Sequence, residues 1–462
     1  MRPHSAFFAI LAMLISSSLY AATIHVPADQ PTIQDGINVA NNGDLVLVAP
    51  GTYSENIDFK GKAITVRSAS GAKVTIIDAG KHGSVATFLS NEGPKSILDG
   101  FTLQHGIANN FGGGVLIGAA SPTIENNIIQ DNKACLGGGG ISTQGSPHIL
   151  NNVIQNNSHT SCFAGFGGGG VNIDGPGTVI LYGNVIRHNS FSGGGGGGIA
   201  VLGRSTPVLE NNIIVENSAG VGESGGGLSI GYPASPLVVQ NLFAGNTATN
   251  GGAISIYLSD PIQGVGPTLV NNTIVGSGGT TQGSVVWVGG LDTAVTFYNN
   301  LLIGLNGQSA VYCDGSFGVP QFTNNDAYSA NGSGLSGVCA SESNQNGNIS
   351  ADPMFLSMTN FELQSGSPAI NAGDNSAPGI PAKDLAGNAR IVGGTIDMEP
   401  TNFSDADWTI SLDRRCRYDS DSIGSTEFCS FESGSLQMSC SELLIQAIRS
   451  HLGRDQCRGS NL

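Results

Sequence analysis

A twelve-residue segment recurs along this 462-residue chain and restricts its fold more than any other feature. The stretch 121–132 (SPTIENNIIQDN) returns at 146–157 (SPHILNNVIQNN), 207–217 (PVLENNIIVEN) and 267–275 (PTLVNNTIV). Looser copies cover 178–189, 236–246, 294–303 and 320–328. Aligned on the asparagine before the apolar pair, the copies read Asn127, Asn152, Asn184, Asn212, Asn241, Asn272, Asn300 and Asn325, with gaps of 25, 32, 28, 29, 31, 28 and 25 residues. Glycine runs at 112–114, 137–140, 167–170, 193–198, 225–227 and 251–252 alternate with them, each leading into a short apolar alternation. A unit this short with two brief strands and glycine or asparagine corners has no room for a helix, which excludes ankyrin and tetratricopeptide arrays; the leucine-rich consensus is missing too.

Period-2 alternation puts Val115, Ile141, Val171, Ile199, Leu228 and Ile254 in one inward column, and Ile117, Thr143, Ile173, Val201, Ile230 and Ile256 in a second. Stacked as parallel strands, the units bury both columns in one continuous core. Asn132, Asn157, Asn189, Asn217 and Asn246 repeat at one position, as a hydrogen-bonded asparagine ladder requires. The expected fold is therefore all-β, a parallel β-solenoid. Less regular coils continue it over 45–105, and residues 330–348 read as a loop closing the last coil. Ile33, Ile37 and Ala40 share one face of a short amphipathic helix, which suits a cap on the open N-terminal edge.

Composition agrees. Glycine accounts for 69 residues and only 11% of the chain is charged, without the G-X-Y period of collagen. At 39% hydrophobic the chain can bury a core, so disorder is excluded. The net charge of −16 argues against nucleic acid, whose phosphates need a basic stripe. Between Lys95 and Lys383 the only basic residues are Lys133, Arg187 and Arg204.

Residues 1–22 read as a signal peptide: a short polar start, an apolar run Phe7 to Ile15 too short to span a bilayer, and small residues for cleavage after Ala21 or Ala22. Secretion or display on a cell surface follows, with no membrane-spanning segment after cleavage. Eight cysteines suit an oxidising compartment. Cys135 and Cys162 lie in successive units, as do Cys313 and Cys339, so each pair can form a disulfide across adjacent coils. Cys416, Cys429, Cys440 and Cys457 lie in the tail, and no spacing suits zinc.

Thr32-Ile-Gln and the stretch from Ala40 to Tyr53 (ANNGDLVLVAPGTY) resemble the start of right-handed parallel β-helix proteins of the pectin-lyase-like superfamily. The Gly-Gly-Gly-Val/Ile/Leu turns resemble repeats of bacterial polymorphic outer-membrane proteins. Asp352-Pro-Met-Phe355, the segment Gly366 to Asp374 and Asp384-Leu-Ala-Gly-Asn-Ala-Arg390 resemble the choice-of-anchor module that closes many secreted bacterial β-helix proteins. The resemblance implies a right-handed helix over 23–350 and a closing module over 351–397. Asp397-Met-Glu departs from the module's usual Asp-x-Gly-Ala-[Tyr/Phe]-Glu ending, and the tail 398–462 is a small disulfide domain, a sorting segment or a shifted reading frame.

The superfamily's known active sites are missing: there is no Asp-Asp pair, His105 lies in Gln-His-Gly, and no cluster of aspartates with an arginine base stands out. Two constellations remain. Asp131, Asn156, His188 and Glu216 share a column, with Gln130, Gln155 and Arg187 beside it. Asp131 and Glu216, three coils apart, would be about 14 Å apart, too far for either glycosidase geometry. His188 and Glu216 could form an acid–base pair, with Arg187 holding an anionic group; a solvated polar corner is the alternative. The second constellation is aromatic and acidic. Trp287 and Tyr312 share an outward column, Tyr257 and Tyr232 lie nearby, and Asp260, Asp292 and Asp314 follow on the next loops. Such a set suits a saccharide subsite. The acids could alternatively cleave a glycosidic bond or, as the single cofactor they suggest, bind calcium. Three functions stay open: glycan or cell-surface binding, polysaccharide lyase or glycoside hydrolase chemistry, and a purely structural spacer.

Overall fold

The computed structural model describes residues 21–159, 167–258, 266–276, 278–279, 284–290, 294–315, 318–357, 360–385 and 387–398, together with three short strands beyond residue 414. The asparagine-rich repeat is not one strand but two. In the copy at 121–132, strand Thr123–Glu125 ends at Asn126, which turns the chain at φ 55°, and strand Ile128–Gln130 follows. A second such bend at Asp131 (φ 56°) leads to the two-residue strand Lys133–Ala134. The glycine-led strand Ile141–Thr143 then begins the next coil. Sequence spacing suggested two strands per unit because both bends are made by single left-handed residues, a conformation asparagine tolerates and most side chains resist.

Repetition of this coil builds four parallel sheets. The first has twelve strands, from Thr23–Val26 to Gln321–Thr323; the second has eleven, from Gly51–Tyr53 to Asp326–Ser329. The third has eleven, from Ile57–Asp58 to Leu335–Gly337, and the fourth has seven two-residue strands. The all-β parallel solenoid is thus the observed fold. Val115 pairs with Ile141 and Ile141 with Val171, and both inward columns are buried. Helix Ile33–Val39 covers the first coil through buried Ile33 and Ile37, its N-cap Thr32 accepting the Asp35 amide. The segment 330–348 is more ordered than a loop: it holds strand Leu335–Gly337 and a 3-10 helix, Val338–Glu342.

Two buried asparagine ladders run along the stack. One joins Asn132, Asn157, Asn189, Asn217 and Asn246 through side-chain bonds of 3.0–3.1 Å. The other runs from Asn127 through Asn152, Asn184, Asn212, Asn241, Asn272, Asn300 and Asn325 to Asn348. Up to the last rung of each ladder, the Nδ2 donates to the next rung and to a carbonyl of the preceding coil, while the Oδ1 also accepts a main-chain N–H, as at Asn152 (2.9 Å). Buried main-chain groups at the bends, which would otherwise be orphaned, are satisfied this way.

Residues beyond 350 fold back over the last coils. Ala369, Met398, Phe355 and Phe361 pack on Val275, Leu301 and Ile303 outside the second sheet, and Ala377 packs on Val239 and Val270 outside the first. The bend residues anchor them: Asn299 Nδ2 donates to the Asp374 carbonyl (3.0 Å), Asn271 Nδ2 to that of Asp397 (2.8 Å) and Asn324 Nδ2 to that of Ala372 (2.9 Å). The chain divides into two compact units, Met1–Asn402 and Phe403–Leu462. In the second, strands Arg415–Cys416, Phe428–Ser430 and Met438–Ser439 form an antiparallel sheet in which Cys416 lies opposite Cys429. Cys440 and Cys457 lie outside the described residues.

Cys313 and Cys339 form a disulfide spanning 26 residues. Cys135 is disulfide-bonded as well, while Cys162 lies outside the described residues. Closing a loop of this size restrains the unfolded chain by about 3 kcal/mol. Cys339→Ser should therefore loosen the final coil, and hydrogen exchange over 311–342 should accelerate while the central coils stay protected.

Candidate functional site

The first constellation assembles at the bend between the second and fourth sheets. His188 and Glu216 occupy equivalent left-handed positions (φ 52° and 56°) on adjacent coils, which sets His188 Nε2 3.1 Å from Glu216 Oε2. Both side chains are more than a third exposed, so the pair contributes little to stability. Asp131 and Asn156 hold the corresponding bends.

Beside the bends, hydrogen bonds join the outward side chains of the second sheet into one chain. Gln104 Nε2 donates to Asp78 Oδ2 (3.0 Å), Gln130 Nε2 to Gln104 Oε1 (3.2 Å) and Gln155 Nε2 to Gln130 Oε1 (2.9 Å). Arg187 closes it, its Nε and Nη2 donating to Gln155 Oε1 at 2.9 and 2.8 Å. Burial pushes the guanidinium below its usual value and the Glu216 charge opposes the shift. Two of the donors that would hold an anionic substrate thus end a ladder with an acid at its other end. The sequence placed Gln130, Gln155 and Arg187 in one column; the links through Gln104 to Asp78 need side-chain geometry.

The second constellation lies on the outer face of the third sheet. Val286 and Val288 point into the core, so Trp287 between them points out. In register, Trp287 lies between Ser255 and Tyr312, and Tyr257 pairs with Gly289. The Tyr257 and Trp287 rings are stacked, 8° from parallel with centroids 6.1 Å apart. The Trp287 ring spreads toward Gly289, where an added Cβ would strike it and lie 2.7 Å from Asp314 Oδ2. Glycine at 289 is the seat of the ring. Tyr257 and Asp314 are exposed and Trp287 is half-buried, so the aromatic pair reaches the surface with a carboxylate beside it. Asp260 and Asp292 lie outside the described residues. Tyr232 follows strand Leu228–Gly231, whose Gly231 pairs with Tyr257.

No group of three or more His, Cys, Asp or Glu among the described residues is placed to hold a metal ion. Among the described residues no helix is long and apolar enough to cross a membrane.

Residues 161–302 match the family described as right handed beta helix region. No curated protein matches the chain. Among solved structures, a mannuronic acid specific polysaccharide family 6 lyase from human gut microbiota is similar. It is 14% identical over 73% of this chain and 88% of that one, with a TM-score of 0.39. That likeness carries no argument, and what the family match adds is the handedness of the solenoid already described.

Proposed function

We propose that this chain is an exported, right-handed β-helix protein whose third-sheet face binds neutral glycans. The observation that carries the reading is the stack of exposed Tyr257 on half-buried Trp287, seated on Gly289 and bordered by Tyr312 and Asp314. Aromatic faces pack against the apolar face of a sugar ring, while a neighbouring carboxylate accepts from its hydroxyls. Scarcity of cations along the coils favours a neutral polymer over a polyuronate. Export is supported by the apolar N-terminal run and by the Cys313–Cys339 disulfide, which suits an oxidising compartment.

Retardation of the purified protein in gels containing neutral or acidic polysaccharides tests the reading. A neutral polymer should retard the protein, and Trp287→Ala should weaken its affinity at least tenfold. Gly289→Val should do the same by denying the ring its seat. Full retention of affinity in both variants, or a preference for polyuronates, would contradict the proposal. New reducing ends that vanish in Asp314→Asn or Glu216→Gln would replace binding with hydrolysis.

A further inference from the structure

Two outward columns run along the third sheet, and the aromatic platform occupies only one end of them. One column reads Leu116, Ser142, Asn172, Ala200, Ser229, Ser255, Trp287 and Tyr312. Gln144 and Asp174 lie two residues beyond Ser142 and Asn172, on the same outward face. At the N-terminal end these side chains line a cleft of about 240 Å³. Phe111 and Leu116 supply apolar wall, and its polar side chains are Asn110, Ser142, Gln144, Asn172 and Asp174.

Beneath the cleft lies a buried amide. Asn172 is 1% exposed, and its Nδ2 donates to Ser142 Oγ at 3.3 Å. Its Oδ1 is buried with no hydrogen-bond partner. That oxygen is closed to solvent beside Gly167, so the polar groups a ligand can reach are those of the more exposed Asn110, Gln144 and Asp174. Asp174 and the side-chain carbonyls of Asn110 and Gln144 offer acceptors at the cleft, and no lysine, arginine or histidine lines it. Hydroxyl donors satisfy such a set, whereas a uronate would bring its carboxylate against Asp174. Room for one ring is available, short of the ~300–1,000 Å³ that admits a drug-sized molecule.

We infer that this cleft is a second subsite, taking one neutral sugar ring of the same polymer that stacks on Trp287; the inference rests on the glycan-binding reading above. Asn172 is four strand steps from Trp287, about 19 Å at the usual parallel spacing. Between them the column carries nothing larger than serine. A linear glycan lying along the solenoid axis would therefore engage the cleft with one unit and the aromatic platform with another. Occupying both converts the second contact into an intramolecular one, which raises affinity without strengthening either.

Calorimetric titration with β-1,4-linked glucose, mannose and xylose oligomers of two to eight units tests this, with the matching uronate oligomers alongside. The unmodified protein should show a tenfold or larger rise in affinity once an oligomer is long enough to reach both places. Gln144→Ala with Asp174→Ala should remove that rise and leave the short oligomers unaffected. Both side chains are on the surface side of the strand, and an unchanged melting temperature shows that the fold is intact. Persistence of the length-dependent rise in this double variant would overturn the second subsite, while loss of short-oligomer binding in Trp287→Ala would still uphold the first. A rise seen with uronates alone would overturn the neutral-sugar assignment. Absence of binding at any length in the unmodified protein would overturn both.

Discussion

Replacing Asn212 by alanine should destabilise the solenoid by about 4 kcal/mol, although Asn212 touches no ligand. Its Oδ1 accepts the Asn184 amide at 3.0 Å, and its Nδ2 donates to the Leu181 carbonyl at 2.9 Å and to Asn241 Oδ1 at 2.9 Å. Alanine strips partners from two buried main-chain groups and opens a void in a column with no solvent access. Each coil contacts only its neighbours, so a break at this rung also weakens the coupling between the two halves of the stack. Asn156→Gly is the matched control: Asn156 is exposed, at φ 55°, and glycine adopts that conformation freely. Its urea midpoint should barely move, whereas the Asn212→Ala midpoint should fall sharply or the transition should split. Equal, small shifts for both would refute the structural role of the ladder.

Asp326→Asn should stabilise the protein, and only above mildly acidic pH. Asp326 is fully buried where the last second-sheet strand meets the segment that folds back, and its Oδ1 accepts the Ala351 amide at 3.0 Å. Its Oδ2 has no partner among the described residues. Burial pushes the carboxyl up to about 7; the Ala351 amide pulls the other way and the charge of Asp352 adds to the rise. Below the ordinary carboxylate value both the folded and unfolded states hold the proton, and the group costs nothing. As pH rises from there toward 7, the unfolded chain releases its proton first, so stability falls, and above about 7 the loss stays constant. A shift of this size corresponds to about 4 kcal/mol. Thermal melts of the two proteins should coincide near pH 3.5 and separate by pH 8, with Asp326→Asn melting higher. A separation that is the same at both values would mean that Asp326 does not carry a proton in the fold.

The solenoid is legible in the sequence because its coils are local and repeat. The inward columns through Val115 and Ile117 follow from alternation alone, and the asparagine spacing gives the rungs from Asn132 to Asn246. Asn126 and Asn127 are harder to tell apart. One adopts the left-handed bend and the other the buried rung, and a pair of identical residues does not reveal which does which. The packing of residues beyond 350 on Gln240, Asn271 and Asn299 is also hidden, because those contacts span 75 to 143 positions. At the candidate site, register alone aligns Trp287 with Tyr312 and His188 with Glu216. The seat at Gly289 is different: glycine there reads as one of 69, and only the position of the indole shows why it matters. Asn172 likewise reads as an ordinary outward polar residue until its buried, unpaired oxygen is seen.

The most direct test of the account is a crystal structure of the protein with a neutral linear hexasaccharide. The account predicts sugar density over the third-sheet face, with one ring stacked on Trp287 and Tyr257 and the chain running along the solenoid axis. Sugar density confined to the bend at His188 and Glu216, with the Trp287 face bare at saturating ligand, would contradict it.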